Sequence, residues 1–458
     1  MLLFLLPLAV AKTEDKLISK IYHEVAYKSS FTFNVENSFV PCVNFATGNK
    51  ITGCSSDPNG NNGELVEFKE LADADPYTGK VVLMKAVHFT RKNLQRWIHV
   101  DGKAQNLPKG ILLDDRDPPS GFSPDKSCPN SGKGLYKNTV YEDCQSGPVW
   151  NQQEANNLLE QRFMFPIFRI GNEELLKKLE SCYVKTKSTE NKCHVEMISR
   201  QYIGSPAIGE EKSCLKRNSI DFNGLNNHRC DPFRGQSIVH FVNGDKSGKI
   251  IWINVPLDSK SFFYKLAPRA SIVTSWTIII GIIDTISRNE NLFSAEKRVI
   301  FSFLNGESYD YIGSTSLIQA IKDGKFPPQD QRMNSNIKFS DIEVFVDFGE
   351  FTSDNFTFHV DKAMNKTIDS DQMIYNQISK YLSNNSVNLQ KSNAITLPPS
   401  TLQVFKRERT SLPGFFIGDF DRQFNNVFYS SRFDNQTLFT ENIVNFTSML
   451  GYMSKVFS

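Results

Sequence analysis

The sequence predicts an α/β fold in two lobes, a large one with a mainly parallel sheet flanked by helices and a smaller disulfide-bonded one ahead of it. Three observations predict it. From Gln236 onward, short apolar runs rich in β-formers alternate with helical patterns, as strands joined by helical crossovers do. One such run, Arg298 to Leu304, is cut off by Asn305-Gly306 and followed by a helical pattern, the strand–loop–helix order that places ligands in open α/β sheets. All eight cysteines lie between Cys42 and Cys230, so the first half is built differently from the second. At 458 residues the chain exceeds one ordinary domain.

In chain order, Met1 to Ala11 (MLLFLLPLAVA) is an apolar stretch ending in the small-residue pattern Ala9-Val10-Ala11, and reads as a secretory signal over residues 1–11. Residues 12–235 form the small lobe, expected to hold four disulfides. Its strands are placed at Lys80 to His88, Gly110 to Leu113 and Phe165 to Ile170. Its helix runs from Glu173 to Tyr183, where Leu175, Leu176 and Leu179 recur at helical spacing. Asp114 to Lys137 is dense in Pro, Gly and Ser and reads as a surface loop tied down by a bridge at Cys128. The cysteines, Cys42, Cys54, Cys128, Cys144, Cys182, Cys193, Cys214 and Cys230, include no CxxC, which argues against a zinc ribbon. Spacing alone leaves their connectivity open.

Residues 236–458 form the large lobe. Lys249 to Val255 (KIIWINV) is a strand that runs into Pro256-Leu257-Asp258. Ile272 to Ile286 is apolar but too short for a bilayer crossing and contains Asp284, so a helix buried against the sheet is expected. After Leu304 comes a loop carrying Glu307 and Asp310; Gly313 and Ser314 then open a helix through Leu317, Ile318 and Ile321 that Gly324 closes. Ile342 to Val346 is a strand ending at Asp347. A helix near Gln372 to Leu382, a strand at Phe415 to Gly418 and a final amphipathic helix over about Leu438 to Phe457 complete the lobe. If the strands before Asp258, Glu307 and Asp347 are parallel neighbours, the three carboxylates converge on one rim.

A composition of 40% hydrophobic and 22% charged residues is that of a soluble globular protein, and a net charge of +2 without a basic stripe excludes nucleic acid as a partner. Asn-x-Ser/Thr acceptors at Asn355, Asn365, Asn384, Asn435 and Asn445 agree with the signal and the cysteines on a secretory route. No G-x-S-x-G elbow, phosphate loop or H-E-x-x-H is present.

The segments NVPLDSKSFFYKLAPRAS and FLNGESYDYIGS, with DYIGS at Asp310 to Ser314 and LPPS at Leu397 to Ser400, resemble the nicastrin family from about Phe39 to Asn435. Nicastrins are in turn similar to two-zinc aminopeptidases, so the resemblance implies an aminopeptidase-like large lobe. It also implies sequential disulfide pairing, and a lid at Trp150 reaching from the small lobe over the large one; a Trp packed within its own lobe is the competing reading. After Ala11 the sequence carries no run of about 18 apolar residues, so the chain is expected to be the ectodomain, or a shortened form, of a family that has one membrane span.

A two-zinc site needs imidazole and carboxylate ligands and a glutamate base. At the positions that match the aminopeptidases, the first imidazole is replaced by Leu257 beside Asp258, and the bridging aspartate by Ser271. The glutamate pair maps onto Gly306-Glu307, Asp347 keeps its carboxylate, and the last histidine falls near Ser430. The expectation is therefore no metal, no cofactor and no catalysis. The resemblance implies partnership with presenilin and the other γ-secretase membrane subunits, and selection of type I membrane protein substrates. That selection works either through a pocket of Glu307, Tyr311, Asp258 and Asp347, with Glu307 as an anion for a substrate amine, or through steric exclusion, which is favoured. The expected location is the lumenal or extracellular face of membranes from endoplasmic reticulum to plasma membrane. An active secreted zinc aminopeptidase with altered ligands, and a glycosylated binding or adhesion ectodomain, are the alternatives.

Overall fold

The computed structural model describes residues 22–27, 39–47, 50–56, 60–69, 76–98, 106–152, 155–188, 190, 192–199, 235–242, 248–263, 270–288, 297–328, 337–353, 355–364, 366–383 and 389–434. The signal, the final helix, Cys214, Cys230, Asn365, Asn384, Asn435 and Asn445 lie outside them.

The chain divides into two compact units, one of Met1–Pro124, Asn156–Phe233 and Ser261–Leu266, the other of Asp125–Ala155, Arg234–Lys260 and Ala267–Ser458. A single boundary at residue 235 is thus too simple. Segment 125–155 clusters with the second unit because its side chains hydrogen bond there over long sequence separations, as Tyr136 does with Asp361. Three bridges pair sequential cysteines: Cys42–Cys54, Cys128–Cys144 and Cys182–Cys193. By compactness the second of these lies in the second unit.

In the first unit the strands are β1 (Tyr22–Tyr27), β2 (Phe39–Pro41), β3 (Asn44–Thr47), β4 (Lys50–Cys54), β5 (Asn61–Glu67), β6 (Val81–Lys85), β7 (Gly110–Asp114), β8 (Arg162–Phe163), β9 (Ile167–Ile170) and β10 (His194–Ser199). Seven form a sheet in the order β1-β10-β5-β6-β7-β9-β2, parallel from β5 to β9, and β3-β4-β8 make a small second sheet. A short helix, α1 (Arg91–Leu94), and the longer α2 (Glu173–Thr186) accompany them. Asn172 accepts from the Leu175 N–H to cap α2, and Leu175, Leu176 and Leu179 pack on Leu112 and Phe168 of the sheet.

The second unit carries β11 (Ile238–Val242), β12 (Ile250–Pro256), β13 (Arg298–Leu304), β14 (Ile342–Phe348), β15 (Phe356–His359), β16 (Leu389–Lys391) and β17 (Gly414–Gly418). They form one sheet ordered β11-β13-β12-β14-β17-β15-β16, with β13, β12, β14 and β17 parallel. Every residue of β13 and β17 is buried, as central parallel strands covered on both faces require. The helices are α3 (Ala270–Arg288), α4 (Ile312–Lys322), α5 (Ile368–Ser383) and α6 (Thr401–Glu408).

Side-chain alternation sorts the strand residues by face. Val255, Phe301, Phe303, Val346 and Ile417 pack with Ile278, Ile282 and Ile286 of α3 and Ile378 of α5. Trp252, Ile300, Phe345 and Phe416 pack with Ile318 of α4 and Leu402 and Phe405 of α6. The apolar stretch of α3 therefore serves as a sheet-covering helix. On the α4/α6 face, three polar residues stand in cross-strand register near the carboxyl ends: Ser302 opposite Asn254, and Asn254 opposite Asp347.

Candidate functional site

Beyond Leu304 the chain turns through Gly306 (φ +87°) and the consecutive left-handed residues Asp310 and Tyr311 before α4 begins. Gly313 must be glycine: a Cβ there would stand 1.9 Å from the Asn305 carbonyl oxygen and 2.9 Å from Glu307 Oε1. That close approach lets Glu307 fold back on the helix start, where its Oε1 accepts from the Ser314 N–H at 2.6 Å. Glu307 Oε2 accepts from Thr401 Oγ1, also at 2.6 Å. One buried carboxyl thus joins the first turns of α4 and α6, and the Ser314 N–H at the helix start is capped by it.

Asp347 is held in the same manner. Its Oδ1 accepts from Asn254 Nδ2 at 2.9 Å and its Oδ2 from the Leu402 N–H at 2.9 Å. Behind it, Trp252 Nε1 donates to Ser302 Oγ and Ser302 Oγ to Asn254 Oδ1, so the polar stripe is a closed relay in which each donor finds an acceptor. Asp258 is spent on the backbone: its carboxylate accepts from the N–H groups of Glu307 and Ser308 at 2.8 and 3.0 Å. Those two amides stand beyond the end of β13 and have no ladder partner there, so a side chain must satisfy them.

Glu307, Asp347 and Tyr311 line one cavity of about 40 Å³, together with Glu350 and the rings of Phe416, Phe420, Phe424 and Tyr429. Asp258 is not among the residues that line it, and the cavity has room for a few waters. Burial pushes the Glu307 carboxyl up to about 8 against the hydrogen bonds from Thr401 and Ser314, and the Asp347 carboxyl up to about 7. Burial also holds the Tyr311 hydroxyl well above its ordinary range.

Ser271 Oγ donates to Asp434 Oδ2 at 2.8 Å and lies 3.1 Å from Glu350 Oε2, all three residues being buried. A hydroxyl thus ties two acids together where a zinc pair would need a bridging carboxylate, and Leu257 offers no imidazole. This donor set does not fit two zinc ions. Ser430, at the place of the last imidazole, donates to Asp125 at 3.4 Å. The remaining histidine nearby, His359, is fully buried, donates from Nε2 to the Phe420 carbonyl at 2.7 Å, and is held down to about 4 by burial.

Trp150 is 2% exposed and sits in a ring cluster with His359, Phe420 and Phe424. Its carbonyl accepts from the Phe424 N–H at 2.7 Å. Segment 125–155 makes further contacts within the same unit: Leu135 N–H donates to Gln403 Oε1, while Tyr136 donates to Asp361 and accepts from the Leu397 N–H. Thr401, Asn254, Ser302 and Asn130 were not legible as site residues. The available signal was a polar residue inside each of two otherwise apolar strands, KIIWINV and RVIFSFL.

The fold and the site define an α/β protein whose carboxyl-lined cavity is closed by its own hydrogen-bond donors. The chain belongs to the nicastrin family: residues 41–201 match the family's small lobe and residues 249–449 its large lobe. Human nicastrin is 27% identical over 442 residues, covering 87% of this chain and 58% of its own length. Nicastrin of Dictyostelium discoideum is 25% identical, covering 92% of this chain and 65% of its own length. The chain thus spans less than two thirds of these relatives. The crystal structure of the γ-secretase component nicastrin superposes with a TM-score of 0.70 at 21% identity, covering 92% of this chain and 74% of that one, a likeness of fold.

Proposed function

We propose that this chain is the non-catalytic, substrate-facing ectodomain of a γ-secretase-type intramembrane protease complex, in which presenilin supplies the cleavage chemistry and the other membrane subunits complete the assembly. Type I membrane proteins are the substrates, and selection works mainly by the bulk of the folded ectodomain. The observation that supports the steric route over a Glu307 receptor is the engagement of Glu307: it is 3% exposed, and both carboxyl oxygens accept protein donors. A carboxyl so enclosed, and neutral at pH 7 for a value of about 8, offers no anion to an incoming amine. Its place is to hold α4 to α6, with Tyr311 and Asp347 in the same wall. The lumenal location follows from this role, and exposed Asn355 is the glycan acceptor the described surface presents.

Affinity isolation of the chain from native membranes tests the assembly: presenilin co-purifies, and its absence rejects the reading. Glu307→Gln tests the route of selection in the reconstituted complex. Cleavage of short-ectodomain substrates stays within about twofold of wild type, since glutamine can keep both hydrogen bonds of the enclosed side chain, and a large loss confined to substrates with a free amine rejects steric selection. Stoichiometric zinc with hydrolysis of an aminoacyl substrate would instead establish an active aminopeptidase.

A further inference from the structure

We infer that Asn130 is the positioning residue that clamps segment 125–155 to the loop 307–311, so that the left-handed turn placing Glu307 exists only while that segment is docked. The side-chain amide of Asn130 reads the loop backbone from both sides. Its Nδ2 donates to the Glu307 carbonyl at 2.9 Å and its Oδ1 accepts from the Asp310 N–H at 3.2 Å. Two residues further along the segment, Gly132 fits so closely that a Cβ would stand 2.7 Å from Asp310 Oδ2, and the Lys133 N–H donates to Asp310 Oδ1 at 2.9 Å.

The loop has a reason to need this. Asp310 and Tyr311 carry φ of 54° and 59°, a conformation costly for two consecutive residues with Cβ atoms. Its internal bonds converge on two carbonyls: the Tyr309 and Ile312 N–H groups reach that of Gly306 at 3.4 and 3.1 Å, and the Tyr311 N–H reaches that of Glu307 at 3.2 Å, the same oxygen that Asn130 engages. The segment is fixed at its neck, by the Cys128–Cys144 bridge and by Asn151, whose N–H donates to the Ser127 carbonyl and whose Nδ2 donates to that of Lys126. A closed loop pinned at its neck moves as one body, so the Asn130 end and the Leu135 end dock or release together. Released, the turn relaxes, and the Ser314 N–H loses Glu307.

Hydrogen exchange of the full chain tests this at single amides. In Asn130→Ala the amides of Asp310 and Ser314 in the loop and of Lys133 and Leu135 in the segment exchange about tenfold faster, the loss of one hydrogen-bonded pair. Those of Val82 and Leu112 in the first unit do not change. Faster exchange at Ser314 with Leu135 unmoved, or no change at either, overturns the clamp. The wild-type protein provides a second reading that needs no variant. In low urea, the same four amides follow one opening free energy and one urea slope, and separate isotherms for loop and segment likewise overturn it.

Discussion

Thr401 Oγ1 lies 2.6 Å from Glu307 Oε2, a bond between residues 94 positions apart that fastens the start of α6 to the loop ahead of α4. Since the other oxygen takes the Ser314 N–H, the carboxyl acts as a two-point brace. Glutamine reproduces it, its carbonyl accepting from Ser314 and its amide donating to Thr401 Oγ. Glu307→Gln is therefore expected to cost about 1 kcal/mol or less, whereas Glu307→Ala, leaving two buried donors and a void, costs about 2–4 kcal/mol. Urea unfolding of the purified chain measures both, and equal losses would refute the brace.

Stability should fall as pH rises through neutrality. Glu307 and Asp347 have ordinary values of 4.5 and 3.8 and folded values of about 8 and 7. Between those limits the folded state holds more protons than the unfolded one, so their contribution is complete below about pH 4 and is lost as pH passes 7 to 8. His359 acts in the opposite sense. Its folded value of about 4 lies below the ordinary 6.5, so stability is full above 6.5 and declines as pH falls toward 4. Between about pH 4.5 and 6.5 two carboxyls lower stability while one imidazole raises it, so melting temperatures across pH 4 to 9 should be highest near pH 4 and fall more steeply along an alkaline limb above 6.5, as far as these groups govern. Glu307→Gln should level the stretch from about pH 4.5 to 6.5, where Asp347 and His359 then offset each other, and flatten the alkaline limb above it. An unchanged alkaline limb would show that Glu307 does not titrate in that range.

Much of the second unit was legible because its strands announce themselves. Lys249 to Val255, Arg298 to Leu304 and Ile342 to Val346 are apolar runs ended by turn chemistry, and the structure pairs them as parallel neighbours. Convergence of acids on one rim followed for Glu307 and Asp347, since strand ends in register must bring their next residues together. What local pattern could not convey is which way a carboxylate turns. Asp258 answers to two backbone amides, a demand set by the turn and not by the sequence around it. For segment 125–155 the resemblance implied a reach over the large lobe at Trp150, but local pattern could not name Asn130, which meets Glu307 across 177 residues.

Restoring an acid at Ser271 should harm the fold. The hydroxyl sits between Asp434 at 2.8 Å and Glu350 at 3.1 Å, and Asn426 Nδ2 approaches Glu350 at 3.4 Å. An aspartate removes that hydroxyl and sets a third buried carboxyl against the other two, a cost of about 3–5 kcal/mol for an uncompensated charge. Ser271→Ala, which removes the donor alone, should cost about 1–3 kcal/mol. Chemical denaturation ranks the two, and an aspartate variant as stable as wild type would mean that the site takes up a cation or a proton.

Trp150 allows packing and proton affinity to be read from one substitution. Its indole meets His359 and Phe420 edge-on at 6.1 Å each and leans on Phe424 at 6.4 Å, while its carbonyl bond to the Phe424 N–H does not depend on the side chain. Trp150→Ala should therefore cost about 3–5 kcal/mol, the range for an aromatic removed from a core, without undoing the backbone contact. The same change admits water beside His359, whose depressed value stems first from burial. The imidazole should then titrate closer to its ordinary 6.5, which the pH dependence of its NMR ring-proton shifts reports directly. Trp150→Phe, which keeps the site apolar, should lose less stability and leave that titration near 4. A histidine that stays near 4 in the alanine variant would place the source of its burial elsewhere, in Phe416 and Phe420, which pack on the ring at 5.6 and 5.2 Å.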